Sequence, residues 1–369
     1  MKRTALKVLA MMMIVVLAMS ALAGCGGNSS TNSDSGKSEA SNTASEDSSS
    51  AASDEVFTPI LTIALSKDDY SGDAMIYLGK ILEERSNGRI KPTVYTDMAM
   101  TSGDTEQAEV TMNNTAQISI CSAFALASLA PELNRFLIYD VPYMFQTEEE
   151  LYAYADSDIN RQDLDAMKDL LGLRAYPQYS RCWAKVSTGG KDVVMPEDLK
   201  GLKIRSSASD LYVAFLEGCG AIPTPMAYGE VYTGLQQHTI DGMMTTTPHW
   251  YFDKFCEVQD YMVCCNAFAI MHTPIVNNEW FESLPEDLQK VVDECMWDYL
   301  AYVRKGGTEK GEQGCIDLMR SEYGMTINEL NDEQYAAWVE VGKSCWELGK
   351  QLVGEDNFAE IQKFVEDMR

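Results

Sequence analysis

The sequence predicts an α/β protein made of two lobes, and three observations support this fold class. Strand and helix signals alternate in a βαβαβ order over residues 59–121, which favours a parallel or mixed sheet with helices on its faces. A similar alternation returns over residues 203–244. The length of 369 residues suits two domains or one bilobal unit, and a hydrophobic content of 46% allows a sizeable core.

The first α/β pattern begins with PILTIAL at residues 59–65, which predicts a strand. Apolar residues at helical spacing predict a helix over residues 72–86, and IKPTVY at residues 90–95 predicts the second strand. A helix over residues 104–113 and a strand over residues 117–121 complete this pattern.

The second α/β pattern has three short predicted strands linked by two helices. The strands are predicted at residues 203–206, 222–225 and 239–244, and the helices at residues 210–217 and 228–237. Further helices are predicted from Pro285, a residue favoured in the first turn, as far as Lys305, and over residues 332–368. Trp338 and Trp346 are predicted core residues of the last region.

The N-terminus has the three regions of a bacterial lipoprotein signal in order. A basic region precedes an apolar stretch at Val8–Ser20, which has the length of a signal peptide and is short for a spanning helix. Small residues then lead to Cys25 in a pattern that resembles a lipobox. We predict a cleaved lipoprotein signal peptide at residues 1–24 and lipid attachment to Cys25. A plain secretory signal with an incidental cysteine is the alternative.

Residues 25–57 are rich in Ser, Asn and Asp and have almost nothing to bury, so they predict a disordered tether between the lipid and the folded body. No later segment has the roughly 18 uninterrupted apolar residues of a spanning helix. The predicted location is therefore extracytoplasmic, with the protein anchored to the cell membrane by its lipid.

The chain is strongly acidic, with a formal net charge of −27 that becomes about −30 once the three basic residues of the signal are removed. Phosphate contacts need clustered Lys and Arg, so this charge argues against nucleic-acid binding. It favours a soluble monomer.

Cysteine and motif patterns give no sign of a catalytic or metal site. Nine cysteines follow Cys25, and their odd number and irregular spacing favour small core residues over a disulfide framework. Residues 156–160, DSDIN, open like a calcium loop, but Arg161 stands where Gly is needed and Met167 where Glu is needed. Common nucleotide-binding and hydrolase motifs are missing. We predict no metal, no cofactor and no enzymatic activity.

The middle of the chain carries a more specific pattern. Residues 195–262 contain PEDLKGLKIR, GAIPTPMAYGEVYTGLQ, IDG and KFCEVQDYM in this order. These segments closely resemble the solute-binding subunits of tripartite ATP-independent periplasmic (TRAP) transporters, the DctP-like family. ERSNGRIKPTVY, DVPYMF and WFESLPEDLQKVVD also fit, so the resemblance extends over about residues 58–369.

The resemblance implies a bilobal periplasmic-binding-protein-like fold. Its two α/β lobes are joined by crossing hinge strands, a long helix spans both lobes, and ligand lies in the cleft between them. We expect the first lobe at residues 58–180 plus about 271–310. The second lobe is expected at residues 181–270 plus about 311–369.

The resemblance also implies a function without chemistry. Such a protein captures a small organic acid outside the membrane and delivers it to the TRAP membrane permease subunits. A ligand-presenting extracellular sensor of the same fold is one alternative. A secreted α/β enzyme is a weaker one, because no catalytic motif supports it.

Arg205 is the main candidate ligand residue. It ends a predicted strand in which Leu202 and Ile204 alternate with charged residues, and ligands in α/β sheets bind beyond the carboxyl ends of strands. In the family, the Arg of KGLKIR pairs with a ligand carboxylate, which a guanidinium grips through two hydrogen bonds. A solvated surface charge is the alternative.

Further ligand residues follow only from the resemblance. Arg181 lies near the position of a second family arginine, although a plain loop charge fits as well. Tyr228 matches an aromatic residue that packs on ligand, with core packing as the alternative. Ser122 follows the third strand, and Tyr70 precedes the first helix; both are expected to line the cleft.

One family position departs from its usual pattern. The frequent Asp-Gly-Gln-Glu-Asn becomes DGMMT at residues 241–245, so Thr245 replaces an Asn that often bonds the ligand. Trp250 and His249, just beyond, would make the pocket aromatic or less polar, unless they pack on a helix face. The usual ligand is therefore in doubt, and the sequence leaves the identity of the carboxylate open.

Overall fold

The computed structural model describes residues 55–369 of the chain. The predicted signal peptide, Cys25 and nearly all of the predicted tether lie outside the described residues. Within them, eleven strands join in one mixed sheet. The strands are β1 Ile60–Thr62, β2 Thr93–Tyr95, β3 Ile118–Ser122, β4 Leu173–Ala175, β5 Tyr179–Thr188, β6 Lys203–Ser206, β7 Ile222–Pro225, β8 Gly242–Thr246, β9 Tyr261–Val263, β10 Ala269–Asn277 and β11 Thr326–Asn328.

Helices surround this sheet and connect most of its strands. They are α1 Tyr70–Arg85, α2 Asp104–Met112, α3 Ala123–Leu129, α4 Glu148–Ala155, α5 Asp158–Leu171, α6 Asp210–Gly218, α7 Val231–Gln236, α8 Thr247–Phe252, α9 Asn278–Ser283, α10 Glu286–Lys310, α11 Gln313–Tyr323, α12 Asp332–Ser344, α13 Trp346–Val353 and α14 Glu355–Glu366. A 3₁₀ segment, Pro131–Asp140, follows α3. In the described part of the chain, no helix combines the length and apolar character needed to cross a bilayer.

The sheet has two halves that meet at β5 and β10. Its strand order is β2-β1-β3-β10-β5-β8-β6-β7, with parallel pairs in both outer parts and antiparallel pairs in the middle. The first part of β5 pairs with β10, and its second part, from Ala184 onward, pairs with β8. The predicted bilobal α/β fold with crossing strands is therefore confirmed. The predicted lobe boundaries stay a prediction.

The crossing strand β5 is irregular near its middle. The register with β10 shifts between Ala269 and Met271, and Cys182 has a φ of +71°, in the left-handed region. Side chains other than Gly rarely take this conformation, and a shift of register with one extra residue is a β-bulge. The bulge turns β5 from one half of the sheet to the other.

The long helix α10 joins the two halves. Its 25 residues pack on α1 and β5 along one side and reach α11 at the end, so the predicted spanning helix is present and ends five residues later than predicted. Apolar residues repeat at helical spacing along its buried face, including Leu288, Val292 and Tyr299. Gly306 and Gly307 let this helix lie against the Tyr70 side chain, whose nearest atoms would be 3.3 and 3.4 Å from an added Cβ.

The C-terminal region forms three helices where the sequence predicts one helical stretch. A turn at Cys345 separates α12 from α13, and Gly354, with a φ of +93°, ends α13, because a helix cannot continue through that conformation. Helices α13 and α14 pack on the 3₁₀ segment Pro131–Asp140, whereas α12 packs on α6. The C-terminal helices therefore contact segments on both sides of the predicted lobe boundary.

The nine cysteines of the described chain are all free thiols. Eight of them are buried, and Cys264 is half-buried. Their burial agrees with the prediction that they act as small core residues. In the same part of the chain, no group of three or more His, Cys, Asp or Glu side chains is placed to hold a metal ion.

Candidate functional site

A cavity of about 510 Å³ opens where the carboxyl ends of several strands meet. Residues at or just after the ends of β1 and β3 line it from one half of the sheet, and residues at the ends of β6, β7 and β8 line it from the other. This is the expected place for a ligand in an α/β sheet, and the volume is typical of small-molecule sites.

Arg205 lies at this cavity near the end of β6, as predicted from the strand pattern. Its side chain is buried, with the residue 7% exposed. Nε and Nη2 donate to the carbonyl oxygen of Met226 at 3.2 and 3.0 Å. Among the described residues, no carboxylate forms a salt bridge with Arg205, and Nη1 has no hydrogen-bond partner. Burial lowers the pKa of Arg205 from its ordinary value.

Tyr228 lies beside this guanidinium, with its ring centroid 5.7 Å from the Arg205 Cζ atom. The Tyr228 hydroxyl donates to the Asp253 carboxylate, and this hydrogen bond fixes the ring at the cavity wall. Burial raises the pKa of Asp253 to about 7. The structure thus brings Tyr228 and Arg205 together at the cavity.

Thr245 also lines the cavity, but its hydroxyl is already engaged. Its Oγ1 lies 2.7 Å from Nδ1 of His249, one turn further along the chain. His249 is buried, and burial together with the nearby positive charge of Arg181 lowers its pKa well below 6.5. The ring is therefore neutral near pH 7. The Thr245 hydroxyl and the His249 ring act as one polar unit on this wall.

Ser122 lines the cavity from the end of β3. Its side chain caps α3 by accepting a hydrogen bond from the Ala125 N–H at 3.3 Å. The same residue thus ends a strand, begins a helix and presents a hydroxyl at the cavity.

Three of the residues predicted to contact ligand are not in the cavity wall. Arg181 is fully buried and forms two hydrogen bonds with the Asp69 carboxylate, at 2.7 and 2.9 Å. The Tyr70 hydroxyl donates to the Ser180 carbonyl oxygen at 2.9 Å. Trp250 is fully buried, and its Nε1 donates to Ser187 Oγ at 2.8 Å. In this conformation the Tyr70 hydroxyl, the Trp250 indole N–H and both terminal nitrogens of Arg181 bond within the protein, whereas Arg181 Nε has no partner among the described residues.

Asp140 and His272 are among the titratable residues at the cavity that the sequence did not single out. Asp140, at the end of the 3₁₀ segment, is buried, and burial raises its pKa to about 7. The Ser209 hydroxyl donates to it at 2.8 Å. His272, in β10, is also buried, and burial lowers its pKa to about 4. Its Nε2 lies 3.9 Å from an oxygen of Asp104.

The sequence carries only a weak signal for these two residues. Asp140 begins the DVPYMF segment, but an acidic residue before Val-Pro does not stand out in so acidic a chain. His272 lies in an apolar run, where a lone histidine is usually a core residue. Both reach the cavity through long-range packing, which a local pattern does not contain.

The fold and the cavity define a bilobal α/β solute-binding protein, and solved structures share the arrangement. The sugar acid binding protein of Advenella mimigardefordensis, solved in complex with galactonate, matches with a TM-score of 0.80 and 20% identity, covering 85% of this chain and 99% of that one. A TRAP periplasmic solute-binding protein from Sulfurospirillum deleyianum with bound succinate matches with a TM-score of 0.77 and 24% identity, covering 84% and 99%.

The chain belongs to the DctP family, described as bacterial extracellular solute-binding protein, family 7, whose profile matches residues 62–351. The C4-dicarboxylate-binding periplasmic protein DctP of Shewanella loihica is 28% identical over 290 residues, which cover 77% of this chain and 83% of that protein. The 2,3-diketo-L-gulonate-binding periplasmic protein YiaO of Escherichia coli is 27% identical over 256 residues, covering 69% and 76%.

Proposed function

We propose that this protein is the solute-binding subunit of a TRAP transporter, which captures a small carboxylate at Arg205 and delivers it to the membrane permease. The observation that carries the proposal is a buried guanidinium, at the wall of a cavity, with no carboxylate partner among the described residues. A buried charge without a counter-charge is unfavourable. A ligand carboxylate supplies that counter-charge.

The geometry of Arg205 suits this role. Met226 occupies one side of the guanidinium, and Nη1 remains available for a ligand oxygen. The overall charge of −27 repels anions, so binding of an anion depends on a local positive site. Tyr228, Ser122 and Thr245 supply the neighbouring wall in the proposed site.

The proposed location and partners rest on the family and on the N-terminal sequence. The relatives are named as periplasmic binding proteins, and we extend that role to this chain. We propose that Cys25 carries a lipid, that residues 25–57 act as a tether, and that the folded body meets permease subunits outside the membrane. We also propose that the ligand leaves chemically unchanged, so the protein is not an enzyme.

Isothermal titration calorimetry tests the carboxylate contact. Succinate, galactonate and a panel of monocarboxylates are titrated into the wild-type protein and the Arg205→Ala variant. A buried, charge-assisted partner is worth about 2–5 kcal/mol, so the variant should lose roughly 30-fold to 4,000-fold in affinity. Arg161→Ala removes an arginine whose side chain is 56% exposed and serves as the matched control.

Two results would contradict the proposal. One is unchanged affinity in Arg205→Ala with an intact fold, judged by circular dichroism. The other is a chemically altered ligand recovered by mass spectrometry after incubation. Cell fractionation of a Cys25→Ala variant tests the anchor separately: release of the protein from the membrane fraction is expected.

A further inference from the structure

We infer that the cavity takes a monocarboxylate whose remaining carbon body is apolar, and that it disfavours dicarboxylates and polyhydroxylated acids. This inference rests on the proposed function, because it places the carboxylate at Arg205. It is carried by the charges, the apolar side chains and the occupied hydrogen-bonding groups of the cavity wall.

The charges of the wall suit one negative group. Arg205 is the only Lys or Arg among the lining residues of the described chain, whereas Asp104, Glu106 and Asp140 all carry carboxyl groups. A second ligand carboxylate would lack a cation of its own and would face these groups. Burying a charge without a partner is strongly unfavourable.

Helix α2 does not provide the missing positive charge. Its first turn lines the cavity, and helix N-termini attract anions. Asp104 and Glu106 belong to that same first turn, however, so their negative charges oppose the helix dipole. Glu106 also accepts hydrogen bonds from the N–H and hydroxyl of Ser102, at 2.7 and 2.8 Å.

Apolar side chains from several elements line the same cavity. They come from α3, from β8 and β10, and from the segment after β7, and include Phe124, Met226, Met244, Ile270 and Met271. Methionine is flexible and polarisable, so it adapts to apolar bodies of varied shape. Burying a hydrocarbon chain or ring against these groups is favourable. A hydroxylated chain buried there would give up hydrogen bonds to water, which costs binding free energy.

Several polar groups that a sugar acid would need are already occupied, and the buried side-chain atoms of the wall that lack a partner, His249 Nε2 and His272 Nδ1, are fewer than the hydroxyls of such an acid. The Thr245 hydroxyl is paired with His249, and the Tyr228 hydroxyl donates to Asp253. The Asp140 carboxyl accepts from Ser209. Each ligand hydroxyl left without a partner costs binding free energy.

A six-carbon series separates these effects by calorimetry on the purified full chain. Hexanoate carries one carboxylate and an apolar body, adipate adds a second carboxylate, galactonate adds hydroxyls, and 2-aminohexanoate adds an ammonium group. We expect hexanoate to bind at least tenfold more tightly than adipate and galactonate, and to lose that affinity in Arg205→Ala. The Arg205→Lys variant, which keeps the charge, controls for folding.

Three outcomes overturn the inference. Tighter Arg205-dependent binding of adipate or galactonate refutes it and leaves the proposed function intact. Tighter binding of 2-aminohexanoate means that the acidic groups hold an ammonium. The absence of Arg205-dependent binding in all four titrations refutes the proposed function as well.

A second variant tests the apolar wall directly. Met271→Gln is close in size and adds polar atoms. It should weaken hexanoate at least fivefold without weakening galactonate, and an equal loss for both ligands would contradict the apolar-wall explanation. Thermal unfolding of the variant checks that its fold is retained.

Discussion

Replacing Asp140 with Asn should stabilise the protein at neutral and alkaline pH relative to the wild type. Asp140 is 5% exposed, and burial raises its pKa from 3.8 to about 7. The folded state therefore holds a proton that the unfolded chain has already released above pH 4. The stability from this group is fully present below the unfolded pKa and is lost as pH rises through about 7.

The magnitude follows from the size of this pKa shift. One pKa unit corresponds to about 1.4 kcal/mol, so a shift of roughly three units corresponds to about 4 kcal/mol in total. Most of this loss of folding stability in the wild type occurs above pH 5. The stability of Asp140→Asn relative to the wild type should therefore increase by about 3 kcal/mol between pH 5 and pH 8.

Urea unfolding at several pH values, followed by circular dichroism, measures this difference. Asp253, whose pKa is also raised to about 7 by burial, is present in both proteins, so its effect cancels. Asp158→Asn removes a carboxylate at a fully exposed side chain and is the matched control. If the curves of Asp140→Asn and Asp158→Asn ran parallel from pH 5 to pH 8, this explanation would be refuted.

Three further predictions use other contacts. Asp69→Asn keeps the cap of α1 but leaves the buried Arg181 unpaired, so the free energy of unfolding should fall by about 3–5 kcal/mol in urea titrations. Gly242→Ala would place a Cβ 2.1 Å from the Ser187 carbonyl oxygen, and the forced backbone shift should cost about 1–3 kcal/mol, measured by thermal unfolding. Carboxylate affinity should fall above pH 7 as Asp140 ionises, and calorimetry should show a smaller fall in Asp140→Asn; equal falls in both proteins would contradict this.

Much of the fold could be predicted from local patterns. β6 and β7 have the predicted bounds, and the helix at α10 begins where Pro285 indicates. Strand alternation and helical spacing are local properties, so the sequence carries them directly. The end of α13 is different, because it depends on a left-handed glycine inside an otherwise helical pattern.

The cavity could be predicted only in part. Arg205 ends a strand whose position the sequence gives, and the structure places it at the cavity. Arg181 is predicted only from the family resemblance. Its partner Asp69 is 112 positions away, so no local pattern contains that ion pair. Trp250 likewise lies outside the cavity wall. Its indole N–H donates to Ser187 of β5, the strand that pairs with β8, and this contact is also long-range.

The hydrogen bonds from Arg205 to the Met226 carbonyl oxygen also affect the energetics of binding. They hold the guanidinium in place before any ligand arrives, so the loss of side-chain freedom accompanies folding and not binding. A flexible cation would lose about 0.5–1.5 kcal/mol of affinity when a ligand immobilised it. The proposed carboxylate site is therefore preorganised, and the segment after β7 contributes to affinity through the Met226 backbone oxygen, which side-chain substitutions leave in place.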